Sequence, residues 1–212
     1  GNVHTPGVVP SVSDMAQWPG DKQPLKLHRH SLHGPNTHMS SGLEFGCHVG
    51  THIDAPLHFL QGAPGITEMP LDHFWGAAVV IRCGDGEKTG PLGAHLLDGL
   101  DLAEVDFVLF DTNWSQHWGT DLYYSRWSFL SMELAERLAT SGLKGVGLDT
   151  PSLDGFGGQA AHDICAPAGM INIENLNNLA AVPDQGFTFQ AMPLKLSQTE
   201  ASPVRALAIL EM

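Results

Sequence analysis

Residues 48–58 read His-Val-Gly-Thr-His-Ile-Asp-Ala-Pro-Leu-His, so imidazoles at His48, His52 and His58 share one short stretch with the carboxylate of Asp54. Imidazole nitrogen and carboxylate oxygen are ligands that Zn2+, Mn2+ or Fe2+ accepts. On a strand, the i, i+2 spacing of His52 and Asp54 puts both side chains on one face. Gly50 would let the backbone turn tightly enough to bring His48 onto that face. Pro56 would break the strand and let His58 approach from the side. A metal-sticky surface loop is the alternative in a chain with twelve histidines. Such a loop has no need of small, rigid residues between its polar ones, so the segment reads as a metal site with His48, His52 and Asp54 as ligands.

The pattern His-x-Gly-Thr-His-x-Asp-x-Pro-x-His resembles the signature of the cyclase-like metal-dependent hydrolases, the family of bacterial kynurenine formamidase and isatin hydrolase. The likeness runs from about Trp18 to the C-terminus. It includes Trp18-Pro-Gly-Asp21, Leu148-Asp-Thr-Pro-Ser-Leu-Asp154, Glu174-Asn-Leu and Pro193-Leu-Lys-Leu followed by Ser202-Pro-Val-Arg205, in that order. The resemblance implies an α/β fold, a swivelling β/β/α arrangement with mixed sheets and a few helices. It implies that His162 and Glu174 complete the ligand set and that His58 is the catalytic proton donor and acceptor. It places Trp18 where the family stacks an aromatic substrate. Read without it, Glu174 is equally a surface or helix-start acid, His58 a further ligand or a ligand's partner, and Trp18 plain packing.

Five ligands, two of them carboxylates, exceed one tetrahedral ion and suit two ions bridged by acids or one ion of higher coordination. By resemblance, formamidase-like members hold two zincs and isatin-hydrolase-like members manganese, and the expected cofactor is one or two divalent ions, Zn2+ or Mn2+, per subunit. Asp163 stands where formamidases often carry a second histidine, a departure that bears on the formamidase reading and leaves the hydrolase class untouched. The expected reaction is attack by a metal-activated water on the amide or lactam carbonyl of a small aromatic substrate. His58, with an ordinary pKa near ~6.5, would carry the proton to the leaving nitrogen. The competing reading is a metal-stabilised domain that binds a small ligand without turnover.

A chain of 212 residues supports one domain with a real core, and residues 1–212 are read as one unit with a partly extended N-terminal arm at 1–20. The net charge of −13, with ten Lys plus Arg, lacks the basic footprint that nucleic acid requires. No apolar run approaches the roughly 18–20 residues of a membrane span, and no signal-peptide pattern is visible. Cys47, Cys83 and Cys165 form no even framework and no Cys-x-x-Cys. They read as reduced thiols in a cytoplasmic protein. Cys47 is expected to point away from its neighbour His48 if both lie on a strand. The expected partner is a small-molecule substrate, and by resemblance the subunits pair as a homodimer or larger homo-oligomer.

Apolar runs at 77–83, 105–110, 145–149, 187–192 and 204–210 read as strands. Residues 131–142 read as a helix capped by Ser131 and stopped by Gly142, with Leu134, Ala135 and Leu138 as its buried stripe. Residues 92–97 read as one or two helical turns, and 1–40 as loops with short strands. A second histidine-rich stretch, His28, His30, His33 and His38, carries no acid and has no assigned role. Asp111-Thr-Asn-Trp-Ser-Gln-His117-Trp-Gly resembles a family loop, which implies aromatic side chains at the pocket border, and His117 could orient a substrate or cap a turn. Asp149 and Asp154 flank Thr150-Pro-Ser and are as well suited to fixing that turn as to acid–base work. Gly155-Phe-Gly-Gly158 lacks the Lys-Ser/Thr of a phosphate loop, so no nucleotide is expected.

Overall fold

The computed structural model describes residues 15–20 and 25–210. Most of the expected N-terminal arm, and Asp21 of the Trp18–Asp21 stretch, lie outside the described residues. The first two strands, β1 (Lys26–Ser31) and β2 (Ser40–Glu44), form an exposed antiparallel hairpin apart from the main sheet. The short strand β3 (His52–Asp54) follows, then β4 (Trp75–Arg82), β5 (Gly90–Leu92), β6 (Phe107–Asp111) and β7 (Ser128–Leu130). Helix α1 (Met132–Ala139), β8 (Gly145–Leu148), helix α2 (Ala160–Cys165) and β9 (Ile171–Glu174) come next. The chain closes with β10 (Phe187–Gln190), β11 (Ala201–Pro203) and β12 (Leu207–Leu210).

Eight strands form one sheet in the order β11-β3-β9-β8-β6-β4-β10-β12, parallel across β9-β8-β6-β4 and antiparallel outside them. The edge strands β11 and β12 are joined by residues 204–206 alone. Four Cα steps reach at most about 14 Å, whereas seven flat strand spacings would separate those edges by about 33 Å. The sheet is therefore curled until its edges nearly meet. Of the apolar run at 204–210, expected as one strand, only Leu207–Leu210 forms β12; residues 204–206 make the crossing, with Val204 N–H bonded to Thr51 O at 3.0 Å.

Alternation along the strands sorts the core into two. Ile53, Phe107, Leu109, Ile171, Ile173, Phe189 and Ala208, drawn from strands on both sides of the sheet, pack together inside the curl. Val108, Phe110, Val146 and Leu148 face outward against Leu134, Leu138, Ala161 and Cys165 of the helical layer. Phe107–Phe110 is buried throughout, as expected of a central parallel strand covered on both faces. Gly145 permits the β8–β9 approach, because a Cβ there would lie 2.6 Å from Ile171 O.

Ser131 caps α1 by accepting from Leu134 N–H at 3.2 Å, and its Leu134–Ala135–Leu138 stripe is buried. Burying each leucine contributes roughly 1.5–3 kcal/mol. Helix α2 has no sequence signature: six residues are too few for an amphipathic pattern, and its first amides are satisfied from outside. Among the described residues, no helix is long and apolar enough to cross a membrane.

Candidate metal centre

The register of β3 against β9 sets His52 opposite Glu174 and Asp54 opposite Asn172. Because Ile53 and Ile173 point into the inner core, their neighbours His52, Asp54 and Glu174 must face the other way, toward the helical layer. Helix α2 sends His162 down onto the same face, and the four side chains are buried together. His48 arrives from a turn at 47–50 in which Gly50 adopts φ +62°. Cys47 lies in that turn rather than on a strand, half-buried, so the opposite-face argument does not apply to it.

The polar atoms converge. His52 Nε2 lies 3.4 Å from both Asp54 Oδ1 and Glu174 Oε2. His162 Nε2 lies 3.3 Å from Glu174 Oε1 and 3.9 Å from Asp54 Oδ2, and His48 Nδ1 is 2.8 Å from Asp54 Oδ1. His52 Nε2 and Asp54 Oδ1 are nonetheless without a hydrogen-bond partner in a buried setting, a costly arrangement unless something else binds them. The close His48 contact to Asp54 does not satisfy that oxygen, since its direction is not that of a hydrogen bond. Ligand atoms about 2.1 Å from one ion at tetrahedral angles stand about 3.4 Å apart, close to most of these separations. The donor set and its two orphaned atoms fit a divalent cation. Asn172 Oδ1 is a third unpartnered buried atom, for which the structure offers no account.

The ring orientations are fixed from behind. His52 Nδ1–H donates to Gly50 O at 2.8 Å, which leaves Nε2 with its lone pair toward the cluster. Gly50 O also accepts from Asn175 Nδ2 at 2.9 Å, and Asn175 Oδ1 accepts from the buried Tyr123 hydroxyl at 2.7 Å. His162 Nδ1–H donates to Asp154 Oδ2 at 2.7 Å, and Asp154 also accepts from the Ala161 and His162 amides that open α2. Carboxylate or carbonyl partners behind an imidazole set its tautomer and strengthen it as a ligand. Asp154 thus orients a site histidine and opens α2, while the Asp149 carboxylate accepts from Thr112 and Ser115. Neither carboxylate fixes the Thr150-Pro-Ser turn as expected, and the role of Asp154 is one that spacing in sequence does not display.

Charge follows from this packing. Burial opposes protonation of His162, but Asp154, Glu174 and Asp54 outweigh it and raise its pKa to about 10. His48 behaves alike: burial is overcome chiefly by Asp54, with Glu174 and Glu200 assisting, and its pKa rises to about 9. Burial pushes Asp54 upward, yet His52, His48 and His58 hold it well below the usual carboxylate range. His58 is shifted down, mainly by burial and also by His48 and His162, against the pull of Asp54.

These residues line a cavity of about 580 Å3 that also includes Trp18, Phe59, Tyr124, Ser152, Gly158 and Gln159. His58 opens from the turn Pro56–His58, and its ring centroid stands 4.2 Å from that of His48 and 6.5 Å from that of His162. Trp18 stacks on Phe156 at 5.6 Å and meets Trp127 and Tyr124 edge-on, forming an aromatic rim. The loop at 111–119 does not border this cavity: Trp114 is buried with Tyr123 and Trp127, and His117 packs on Trp114 and bonds Gly86 O. Tyr124 and Phe59 supply the aromatic lining instead. His28, His30, His33 and His38 lie on or beside the exposed hairpin, and none lines the cavity.

A family profile described as putative cyclase matches residues 9–155. The kynurenine formamidase of Bordetella petrii is 36% identical over 174 residues, covering 79% of this chain and 78% of that protein. That of Salinibacter ruber is 31% identical over 195 residues, 90% of each chain. Among solved structures, isatin hydrolase A from Ralstonia solanacearum superposes with a TM-score of 0.85 at 26% identity, covering 99% of this chain and 91% of the other.

Proposed function

Because this chain belongs to the putative cyclase family, we propose that it is a metal-dependent hydrolase that cleaves the carbon–nitrogen bond of a small aromatic amide or lactam. The observation that carries this reading is the pair of buried, unpartnered ligand atoms, His52 Nε2 and Asp54 Oδ1, at the floor of an aromatic-rimmed cavity. His48, His52 and Asp54 form one triad of donors, and Asp54, His162 and Glu174 a second. Sharing Asp54, they would hold two ions or one ion of higher coordination, Zn2+ or Mn2+. When bound, such an ion acidifies water and polarises a carbonyl.

The rest is the work of this chain's own side chains. The downward shift of His58 keeps its ring neutral near pH 7, so it can take a proton from the attacking water and give it to the leaving nitrogen. Phe59 stacks on His162 at 4.1 Å and fills the wall between that ring and His58. Trp18 and Tyr124 offer apolar faces to an aromatic substrate. The relatives' names, kynurenine formamidase and isatin hydrolase, support an arylformamide or a fused lactam as that substrate. Residues 1–212 would form one domain, and the protein would act as a cytoplasmic homo-oligomer.

The test is turnover of N-formylkynurenine and of isatin with Zn2+ or Mn2+ added. His58→Ala should lower kcat by about 10^2–10^4-fold while the bound-metal content is unchanged. No turnover of either compound with either ion, or an unaltered rate for His58→Ala, defeats the proposal.

A further inference from the structure

We propose that Glu200 is a positioning residue that holds His48 in its ligating orientation; the inference rests on the metal-site reading above. Of the three cluster histidines, His52 lies on a strand and His162 on a helix. Their rings are aimed by Gly50 O and Asp154, respectively. His48 has neither advantage. It sits in a turn, and its side chain is 29% exposed against 3% for the other two.

Its ring is also turned the other way. Nδ1, not Nε2, faces Asp54, leaving Nε2 on the outer side. There Glu200 Oε1 meets it at 3.1 Å, across 152 residues of sequence. Glu200 is itself fixed: its carbonyl accepts from Ala55 N–H at 2.8 Å, and the residue after it begins β11, paired to β3. The backbone that carries His52 and Asp54 thus also carries the carboxylate that steers His48. With Nε2–H donated to Glu200, the Nδ1 lone pair is left for the cation, and the carboxylate makes that lone pair more basic. Direct ligation by Glu200 is the rival, since its oxygen, His48 and His58 have ligand atoms within 4.8 Å of one another. The hydrogen bond to His48 occupies Oε1, and no hydrogen bond joins Glu200 to His58 among the described residues.

The experiment measures Zn2+ affinity by chelator competition and records the visible spectrum of the Co2+-loaded protein, for wild type, Glu200→Ala, Glu200→Gln, His48→Ala and the double variant Glu200→Ala/His48→Ala. Loss of an outer partner of this kind weakens metal binding about 10–100-fold, and that loss is expected for Glu200→Ala with an altered Co2+ spectrum. Glu200→Gln, which keeps an acceptor oxygen but loses the charge that strengthens the imidazole, should recover only part of the affinity; if the alanine variant does not fold, a Gln variant within twofold of wild type with a superposable spectrum overturns the inference. The double variant should bind no more weakly than His48→Ala. Affinities within twofold of wild type and a superposable spectrum for both Glu200 variants overturn the inference. So does a further loss in the double variant, which would make Glu200 a ligand in its own right. Wild-type protein that binds no divalent ion defeats the underlying metal-site reading instead.

Discussion

Raising the pH from 6 to 8 is expected to raise the overall divalent-cation binding constant, taken over all ions bound, by about 10^4-fold. His48 and His162, with pKa values near 9 and 10, are protonated in the metal-free protein at neutral pH, and a ligand imidazole must be neutral. Each proton displaced costs about tenfold in affinity per pH unit below its pKa, so two groups over two units give the figure. Asp54 and Glu174 are held below the ordinary carboxylate range, are ionised throughout this interval and add nothing to the slope. The affinity should level off once the pH passes 9–10. The same two histidines stabilise the metal-free fold with the opposite sign. Their folded pKa values lie above the ordinary 6.5, so that stability is complete below about pH 6.5 and is lost as the pH rises through 9–10. Chelator-buffered Zn2+ titrations at half-unit pH intervals give the slope. Calorimetry in buffers of different protonation enthalpy counts the protons released, about two per protein at pH 7, summed over all ions bound. A slope below one, or release of less than one proton, refutes the charge assignment.

Two other perturbations test the supports of the centre. Asp154→Asn removes the carboxylate behind His162 and leaves one acceptor oxygen for the three N–H groups that Asp154 now serves. Metal affinity should fall about 10–100-fold, measured by chelator competition, and an affinity within twofold of wild type would deny Asp154 its role. Asp149 accepts from Thr112 N, Thr112 Oγ1 and Ser115 N, yet burial prevails and raises its pKa to about 6. A carboxyl raised in the fold binds its proton more tightly there, so its contribution is lost as pH climbs from about 4 to about 6, by at most ~3 kcal/mol. Asp149→Asn should erase that slope in denaturant unfolding curves; parallel profiles for the two proteins would show that Asp149 is not its source.

Much of the centre was legible because its ligands report themselves locally. The spacing of His52 and Asp54, the turn at Gly50 and the break at Pro56 are all properties of neighbouring residues. His162 and Glu174 carried no such mark: α2 is too short for a periodic signal, and β9 is a run of four residues whose one charge reads equally as a surface acid. Family resemblance, not spacing, singled them out. Strand β6 and helix α1 announced themselves through an apolar run and a capped stripe. The crossing at 204–206 did not, since Val204 and Ala206 read as part of the strand that follows them. Glu200 and Asp154 act across space on histidines that they do not adjoin, and no sequence periodicity encodes a contact of 152 residues' separation.

The strand bearing His52 and Asp54 is flanked on its outer side by β11, which comes from residues 201–203. During synthesis, therefore, a ribosome that has already extruded both halves of the cluster has still not released the piece that closes β3 from the side. Until residues 200–203 have followed, β3 is an open sheet edge, and the nascent chain holds His48 without the carboxylate that aims it. A protein clipped near residue 200 would keep the cluster residues themselves and lose the frame around them.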